Sequence, residues 1–340
     1  MELQRLCVTE PTHVARARRV GRSLALGVLG EAALDDLALV ISELGSNILT
    51  HGGGGELLLG VEATGVEVLA LDWGAGITDI RTSLIDGVSQ RPGSLGPGSV
   101  GPGSVGPGSV GPGSVGPGSV GPGSVGMGLG GIGLGAVLRQ SLKVELWSQE
   151  GLGSVIRARL GQPAATIGYT LAALHHQSCG DAMAWESTPW GRRVVAVDMA
   201  GQGADTAALA KQLATGVLGR WRLDPGRHLE ELHLALRPKK LRASAVVIDL
   251  HRAGKVRVAG TADHRVWVDG VPCSLAQGTL GIAVDPSVVE LPWAESVALC
   301  SDGVLVLPTQ GSPALRSARA LWGALARDDL SVGVLLKASL

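Results

Sequence analysis

The first 160 residues alternate between two hydrophobic periods. In "PTHVARARRVGRSLALGVLG" apolar residues recur every three or four positions, and "EAALDDLALVISELGSNILTHG" repeats that spacing up to a run of glycines, so both predict helices. The short apolar runs "ELLLGVEA" and "VEVLALDWG" predict a pair of strands. A helix in "GLGAVLRQSL" and a hairpin made of "KVELWSQ" and "GSVIRARL" follow. Helices that cover one face of an antiparallel sheet make an α+β sandwich.

The pattern changes after "GQPAAT". From Ile167 onward many short apolar runs, such as "RRVVAVDMAG" and "ASAVVIDLH", predict strands. Three stretches with helical spacing interrupt them, namely "GADTAALAKQLATGVLGRW", "PGRHLEELHLALR" and "SPALRSARALWGALAR". We therefore predict a first domain over residues 1–160, a linker over 161–166 and a larger α+β domain over 167–340.

Composition narrows the classes of protein. The 340 residues are 45% hydrophobic and 17% charged, which is typical of globular domains with sizeable cores. The formal net charge of −1 gives no sign of a nucleic-acid partner, and a chain with no Phe and one Tyr lacks the aromatic platforms of single-strand binders. No apolar run reaches about 18 residues and the first residues lack a signal peptide's apolar stretch, so we expect a cytoplasmic protein with no membrane partner.

The four cysteines are scattered along the chain and form no CxxC pair. We expect reduced, mostly buried thiols, without a disulfide framework or a metal knuckle. They are Cys7, Cys179, Cys273 and Cys300.

One segment of the first domain has low complexity. The unit GPGSV occurs six times from Gly96 to Val125, and Gly and Pro at this density rule out a helix or a regular sheet. The repeat predicts an irregular coil that lies inside the first domain and not at the boundary between the two domains.

Three polar residues share one face of the second predicted helix. Glu43, Asn47 and His51 are spaced by four residues. An Asn side-chain oxygen suits Mg²⁺, and a Glu one turn earlier can orient or deprotonate a hydroxyl group. The alternative is that Asn47 and His51 cap or satisfy the end of the helix before the glycine run.

Two glycine motifs follow this helix. "LDWGAG" places Asp72 at the end of an apolar strand, where a buried carboxylate can accept from an exocyclic amine and glycines let a ring approach the backbone. "GGIGLGAVLRQ" is a glycine-rich loop that opens a helix, which offers backbone N–H groups to phosphate. Each motif alone is weak, because strand–Asp–Gly turns are common and the loop does not directly follow a strand.

In this order the three motifs resemble the N, G1 and G2 boxes of the GHKL ATPase superfamily, most closely the RsbT/RsbW-type serine kinases. The resemblance covers residues 10–160 and implies a Bergerat α/β sandwich that binds ATP with Mg²⁺. It implies that Asn47 binds the Mg²⁺, that Glu43 acts as the base and that Asp72 recognises adenine. The glycines that would border the nucleotide are Gly74, Gly76, Gly131, Gly133 and Gly135.

The resemblance also places the repeat in the ATP lid, between the G1 and G2 boxes. Lengthening a flexible loop by about 30 residues costs only about 1–2 kcal/mol, so the fold should tolerate it. We expect lid closure to suffer, which would give weaker ATP affinity or slower phosphoryl transfer than in a version that lacks residues 96–120.

In the second domain, acidic residues recur at the ends of apolar strands. They are Asp181, Asp198, Asp302, Asp328 and Asp329. Carboxylates at strand ends can converge, and a set of hard oxygen ligands without a His or Cys cluster favours Mg²⁺ or Mn²⁺. Two such ions can activate a bridging water for phosphate hydrolysis. The alternative for each residue is a solvated turn or cap.

The order of these residues resembles the PPM-type serine/threonine phosphatases of the SpoIIE/RsbX branch, over about residues 165–340. The resemblance implies an αββα sandwich with a centre of two Mn²⁺ or Mg²⁺ ions. The implied metal ligands are Asp181, Asp198, Asp302 and Asp328, with the backbone carbonyl of Met199. The family's D-G-x-G-H-G reads here "DMAGQG", so the Met199 side chain can crowd the site and Gln202 cannot titrate as the usual His does.

Together the two resemblances imply a bacterial partner-switching regulator. Its first domain would phosphorylate, and its second dephosphorylate, a Ser or Thr of STAS-domain proteins in a stress-response or sigma-factor pathway. The alternative is a non-catalytic module that binds ATP and a sigma factor or another regulator, fused to a phosphatase. A degenerate pseudophosphatase is a further alternative.

Overall fold

Two large β-sheets organise the residues that the structure describes. The structure is a computed structural model that describes residues 1–78, 133–163, 168–174, 176, 178–292, 295–302, 304, 307–324 and 329–336. The GPGSV repeat, Gly131 and Asp328 lie outside the described residues, so what the sequence predicts for them stays a prediction.

The first half of the chain forms one side of the larger sheet. Its strands are β1 (Glu2–Val8), β2 (Gly55–Glu62), β3 (Gly65–Asp72), β4 (Lys143–Gln149) and β5 (Gly153–Gly161). They run in the order β1, β2, β3, β5, β4, and every neighbouring pair is antiparallel. Three helices cover one face: α1 (Pro11–Ala25), α2 (Glu31–His51) and α3 (Gly133–Gln140). Alternate residues of each strand point at these helices, which is why Leu57 and Leu59 share their core while Leu58 does not.

The larger sheet continues from the first half into the second without a gap. The strands of the second half are β6 (Gly168–Leu171), β11 (Arg265–Val268), β12 (Val271–Cys273), β16 (Ser296–Cys300) and β17 (Leu330–Leu336). β6 pairs parallel with β1, with Glu2 opposite Thr170. The ten strands run in the order β12, β11, β16, β17, β6, β1, β2, β3, β5, β4. The predicted linker therefore joins two strands of one sheet.

A second, five-stranded sheet lies against the second half of the large one. Its strands are β7 (Asp181–Thr188), β8 (Gly191–Met199), β9 (Ala243–His251), β10 (Lys255–Gly260) and β15 (Val289–Pro292), in the order β15, β10, β9, β8, β7. Aliphatic residues of both sheets, such as Val194 and Val297, form the core between them. Helices α4 (Ala204–Gly216) and α5 (Pro225–Leu236) pack on the outer face. A short ribbon of β13 (Gly278–Thr279) and β14 (Ala283–Val284) lies beside them.

One helix covers the remaining face of the large sheet in both halves. This is α6 (Pro313–Trp322), which packs on the side opposite to α1, α2 and α3. Its residues Ala318 and Leu321 share a core with Leu58 and Leu69 of the first half and with Val332 of the second. The second half thus has the layers helix, sheet, sheet, helix. Its last helix, α6, also packs on the sheet of the first half.

The mixed α+β architecture predicted from the sequence is confirmed, and its assignment to the GHKL and PPM folds stays a prediction. The pattern does not predict β1, because Gln4 and Arg5 interrupt its apolar residues. All four cysteines are free, as expected, but the expectation that most are buried is wrong: Cys179 and Cys300 are buried and Cys7 is exposed. Within the described ranges, no helix is long and apolar enough to cross a membrane.

Candidate functional site

Two of the predicted metal ligands face each other across neighbouring strands. Asp181 opens β7 and Asp198 lies near the end of β8, and the antiparallel register places them directly opposite. Side chains in such a pair are in contact range. Asp181 is only 2% exposed, and burial together with the charge of Asp198 raises its pKa well above the usual value. The sequence prediction that these two carboxylates converge is consistent with this register.

The Asp181 carboxylate is buried without a donor that satisfies it. Neither of its oxygens accepts a hydrogen bond of normal geometry. The Ser331 hydroxyl acts to lower the pKa of Asp181, but burial outweighs this effect. Burying an ionised carboxylate in this way is costly unless a cation or a proton neutralises it. A hard divalent cation between Asp181 and Asp198 would supply that compensation, so the residues present fit Mg²⁺ or Mn²⁺.

Further oxygens converge on Gly180, immediately before β7. The Asp329 carboxylate accepts hydrogen bonds from the Ala173 N–H, at 2.7 Å, and from the Gly180 N–H. A Cβ at residue 180 would lie 2.9 Å from Oδ2 of Asp329, 3.2 Å from the Gly201 carbonyl oxygen and 3.3 Å from the Met199 carbonyl oxygen. A side chain at 180 would therefore fill a cradle of oxygen atoms, and glycine leaves it open.

The other predicted ligands are less well placed. Asp302 is exposed and follows β16, whose end pairs with the start of β17, so it lies on the edge from which Asp329 leads into β17. Asp328 lies outside the described residues. Within the part of the chain that the structure describes, no three His, Cys, Asp or Glu side chains form a group able to hold a metal ion. A complete two-metal centre therefore stays a prediction.

A polar row that the sequence does not predict extends from these carboxylates. Ser244 of β9 lies directly opposite Asp198, and its Oγ is 3.2 Å from Nδ1 of His264. His264 is 2% exposed, and burial lowers its pKa to about 4. Sequence spacing does not predict this row, because its members come from three strands, β7, β8 and β9, and from the turn that contains His264. Gln202, which stands where the family has a His, is exposed.

The polar face predicted for α2 lies beside the opening of α3. Glu43 and Asn47 are half-buried, and they stand one helical turn apart next to the buried residues Leu44 and Ile48. The backbone N–H of Gly133 donates to Oε2 of Glu43 at 3.2 Å. The predicted base thus touches the start of the predicted phosphate-binding helix. Gly135 is buried within that helix.

The turn after β3 packs closely on the end of α2. Oδ1 of Asp72 accepts from the Gly74 N–H at 3.0 Å, and burial raises the pKa of this half-buried carboxyl. A Cβ on Gly52 would lie 2.6 Å from Cβ of Asp72, and one on Gly74 would lie 2.5 Å from the carbonyl oxygen of His51. The glycines therefore bring the Asp72 carboxylate against the helix that carries Glu43 and Asn47.

Gly76 secures the other end of this turn. Its φ is +75°, and a Cβ there would lie 2.3 Å from the Gln149 carbonyl oxygen at the end of β4. Only glycine combines this backbone conformation with so close an approach. The structure thus brings Asp72 and Gly74 to the end of α2, Gly76 to the end of β4, and Gly133 to Glu43 of α2.

Comparisons with known proteins give weak similarity only. No family model matches the chain, and no curated protein matches it. Among solved structures, RsbX in complex with magnesium is 13% identical, over 56% of this chain and 98% of its own, with a TM-score of 0.43. The SiaA-PP2C domain of Pseudomonas aeruginosa is 20% identical over 46% of this chain and 79% of its own, with a TM-score of 0.37.

A third similar structure contains the RsbU and RsbW domains of a Mycobacterium tuberculosis protein. It is 16% identical over 49% of this chain and 59% of its own, with a TM-score of 0.37. Similarities at these identities and scores do not assign a function to this chain.

Proposed function

We propose that the second half of the chain is a metal-dependent phosphatase for phosphoserine and phosphothreonine. The observation that carries this proposal is the buried Asp181 carboxylate, which faces Asp198 and has no hydrogen-bond donor of normal geometry. A site that keeps two carboxylates together at this cost is suited to a hard divalent cation.

The residues have separable roles in this proposal. Asp181, Asp198 and the Met199 carbonyl would hold Mn²⁺ or Mg²⁺, with Asp302 and Asp328 as the further predicted ligands. When bound, two such ions supply a nucleophilic hydroxide and neutralise charge on the phosphoryl oxygens. Asp329 holds the loop before β7 in place through the N–H groups of Ala173 and Gly180.

Proton transfer to the leaving group needs a source other than residue 202. Gln202 has no titratable group, and it replaces the His of the family's motif. An aryl phosphate, whose leaving group needs no proton, should therefore be a better substrate than an alkyl phosphate such as phosphoserine.

Asp181→Asn tests the phosphatase proposal. We expect manganese-dependent hydrolysis of p-nitrophenyl phosphate to fall by about 10- to 100-fold or more. Loss of a residue that supports a metal ligand lowers activity by this factor, and loss of the ligand itself should lower it at least as much. The metal-free protein should stay folded and gain thermal stability at neutral pH, because the raised pKa shows that the Asp181 charge opposes folding there.

Asp263→Asn is the matched control, because Asp263 is an exposed aspartate in the same half. It should leave hydrolysis and stability unchanged. Absence of hydrolysis in the wild type would favour a degenerate phosphatase. Equal hydrolysis by the wild type and Asp181→Asn would show that Asp181 does not hold a metal ion needed for the reaction.

We propose further that the first half binds ATP with Mg²⁺ and transfers the γ-phosphate to a STAS-domain protein. The contacts that favour this are the Gly133 N–H on Glu43 and the packing of the Asp72 turn on α2. Asn47 would hold the Mg²⁺, Asp72 would accept from the adenine amine, and Glu43 would accept the proton of the attacking hydroxyl.

Glu43→Ala separates a kinase from a module that only binds ATP. A general base contributes about 10²- to 10⁴-fold, so transfer of labelled γ-phosphate to a STAS-domain protein should fall by that factor while binding of this partner persists. The control is Glu56→Ala, at a half-buried Glu whose partner is Arg5. The first half is a non-catalytic module if the wild type and Glu43→Ala both bind ATP and neither transfers phosphate.

A further inference from the structure

The end of helix α6 reaches from the second half of the chain to the candidate nucleotide site. The helix begins with a Ser312 cap, whose side chain accepts from the Leu315 N–H at 3.2 Å. Its buried residues, such as Ala318 and Leu321, fix it on the large sheet. This anchoring presents the last residue of the helix, Trp322, to the end of β3.

Trp322 makes a direct hydrogen bond to the backbone of the predicted adenine-binding residue. Its indole Nε1 donates to the carbonyl oxygen of Asp72 at 2.7 Å, across 250 positions of sequence. Asp72 is the last residue of β3, so this bond holds the point at which the strand passes into the "DWGAG" turn.

Aromatic contacts hold the indole in this position. Trp73 stacks on Trp322 with centroids 6.3 Å apart and planes inclined by 12°. Trp147 of β4 meets Trp322 edge to face at 5.1 Å, and the Arg319 guanidinium lies 4.5 Å from the centre of the Trp147 ring. The rings on either side restrict rotation of the Trp322 side chain, so the direction of its N–H is well defined.

The geometry of the turn transmits this constraint to the Asp72 carboxylate. Its backbone carbonyl is held by Trp322, and its Oδ1 accepts from the Gly74 N–H at 3.0 Å. A Cβ on Gly153 would lie 2.1 Å from the same carbonyl oxygen, so the β4–β5 hairpin packs directly against this peptide. The carboxylate therefore projects from a peptide whose orientation is fixed from both sides.

We propose that Trp322 is a positioning residue for the nucleotide site: the second half of the chain supplies the contact that orients Asp72 towards the base. This inference rests on the proposed ATP binding of the first half. It assigns adenine selectivity, and not only stability, to a residue outside the first half.

Trp322→Phe tests this role, because it keeps an aromatic ring and removes the donor. The readout is the dissociation constant for ATP and for GTP by titration calorimetry, at a temperature where circular dichroism shows each variant folded. A purely structural role would not move the ratio of the two constants. We expect ATP to bind about 5- to 30-fold more weakly, with GTP binding little changed, because the half-buried Asp72 carbonyl loses its Trp322 donor.

Two comparisons make the result decisive. Trp190→Phe is the matched control, since Trp190 is 71% exposed in the turn between β7 and β8, and it should behave as wild type. Asp72→Asn should lose the same selectivity as Trp322→Phe, because both act on one recognition contact. If Trp322→Phe does not fold, Trp322→Tyr, which has no donor at the Nε1 position, is measured in the same way.

The outcomes separate this inference from the function on which it rests. If the wild type prefers ATP to GTP and Trp322→Phe keeps this preference, the positioning role is wrong and the nucleotide site stands. A wild type that binds neither nucleotide would overturn the nucleotide site itself, and the role of Trp322 with it.

Discussion

His264 shows at the scale of one residue how burial sets a charge state. Burial lowers its pKa to about 4, so the ring is neutral in the folded chain at pH values where a solvated His takes up a proton. Its Nδ1 lies 3.2 Å from the hydroxyl of Ser244, which in turn lies opposite Asp198. A neutral ring next to this carboxylate row adds no positive charge that would compete with a metal ion.

This pKa predicts a loss of stability on the acid side. Above the unfolded pKa of 6.5 both states are neutral at His264; as the pH falls from 6.5 to about 4, only the unfolded chain gains the proton, so the folded state is progressively disfavoured. The full effect is about 3 kcal/mol. His264→Asn, which keeps a hydrogen-bonding group for Ser244 and cannot titrate, should flatten the dependence of the unfolding free energy on pH in this window.

Urea unfolding at several pH values measures this difference. The control is Gln212→Asn, at an exposed residue of α4 that carries no titratable group, and its pH dependence should be that of the wild type. Equal slopes for wild type and His264→Asn would show that His264 is protonated equally in both states.

At the scale of elements, a buried charge network fastens β3, β5 and β6 together. Glu67 of β3 is completely buried and accepts from Arg157 and Arg159 of β5, both at 3.0 Å. The hydroxyl of Tyr169, which belongs to β6 in the second half, donates to the same carboxylate at 2.5 Å. One carboxylate thus joins strands from both halves of the chain.

Glu67→Gln should therefore destabilise the whole molecule. Breaking a buried pair costs about 3–5 kcal/mol, and we expect the lower end of this range, because Arg157 keeps Glu145 and Arg159 keeps Glu62 as acidic partners. Urea unfolding followed by tryptophan fluorescence and by circular dichroism should give coincident transitions at a lower midpoint. Glu290→Gln, which removes an exposed partner of Lys255, is the control and should cause no measurable change. Non-coincident transitions would mean that the halves unfold separately.

Local elements of this fold follow well from the sequence. The spacing of apolar residues predicts α1, α2 and α6, and the alternation of apolar runs with glycines predicts the β2–β3 and β4–β5 hairpins. The facing of Asp181 and Asp198 agrees with the sequence pattern, because Asp181 lies at the start of one apolar strand and Asp198 near the end of the next.

Contacts between distant segments do not follow from the sequence. The parallel pairing of β1 with β6 and the bond from Trp322 to Asp72 join parts of the chain that no local period relates. The Ser244–His264 pair is hidden for the same reason. Trp322 lies in a stretch with helical spacing, and nothing in that spacing predicts the donor role of its indole.

At the scale of the whole molecule, the ten-stranded sheet and α6 make the two halves one structural body. The sheet crosses from β6 to β1, and the core under α6 takes residues from both halves. The division into two domains joined by a linker stays a prediction, and the described residues of the two halves share one sheet and one core.

The shared sheet also limits how such a gene can be recombined. A crossover within codons 161–166 would give a first half whose sheet ends at β1. The sheet face that α6 covers would then be without α6. A hybrid with an unrelated second half would therefore expose an apolar surface to solvent. Viable exchanges would have to replace both halves together, or to confine themselves to loops that touch neither the β1–β6 pair nor α6.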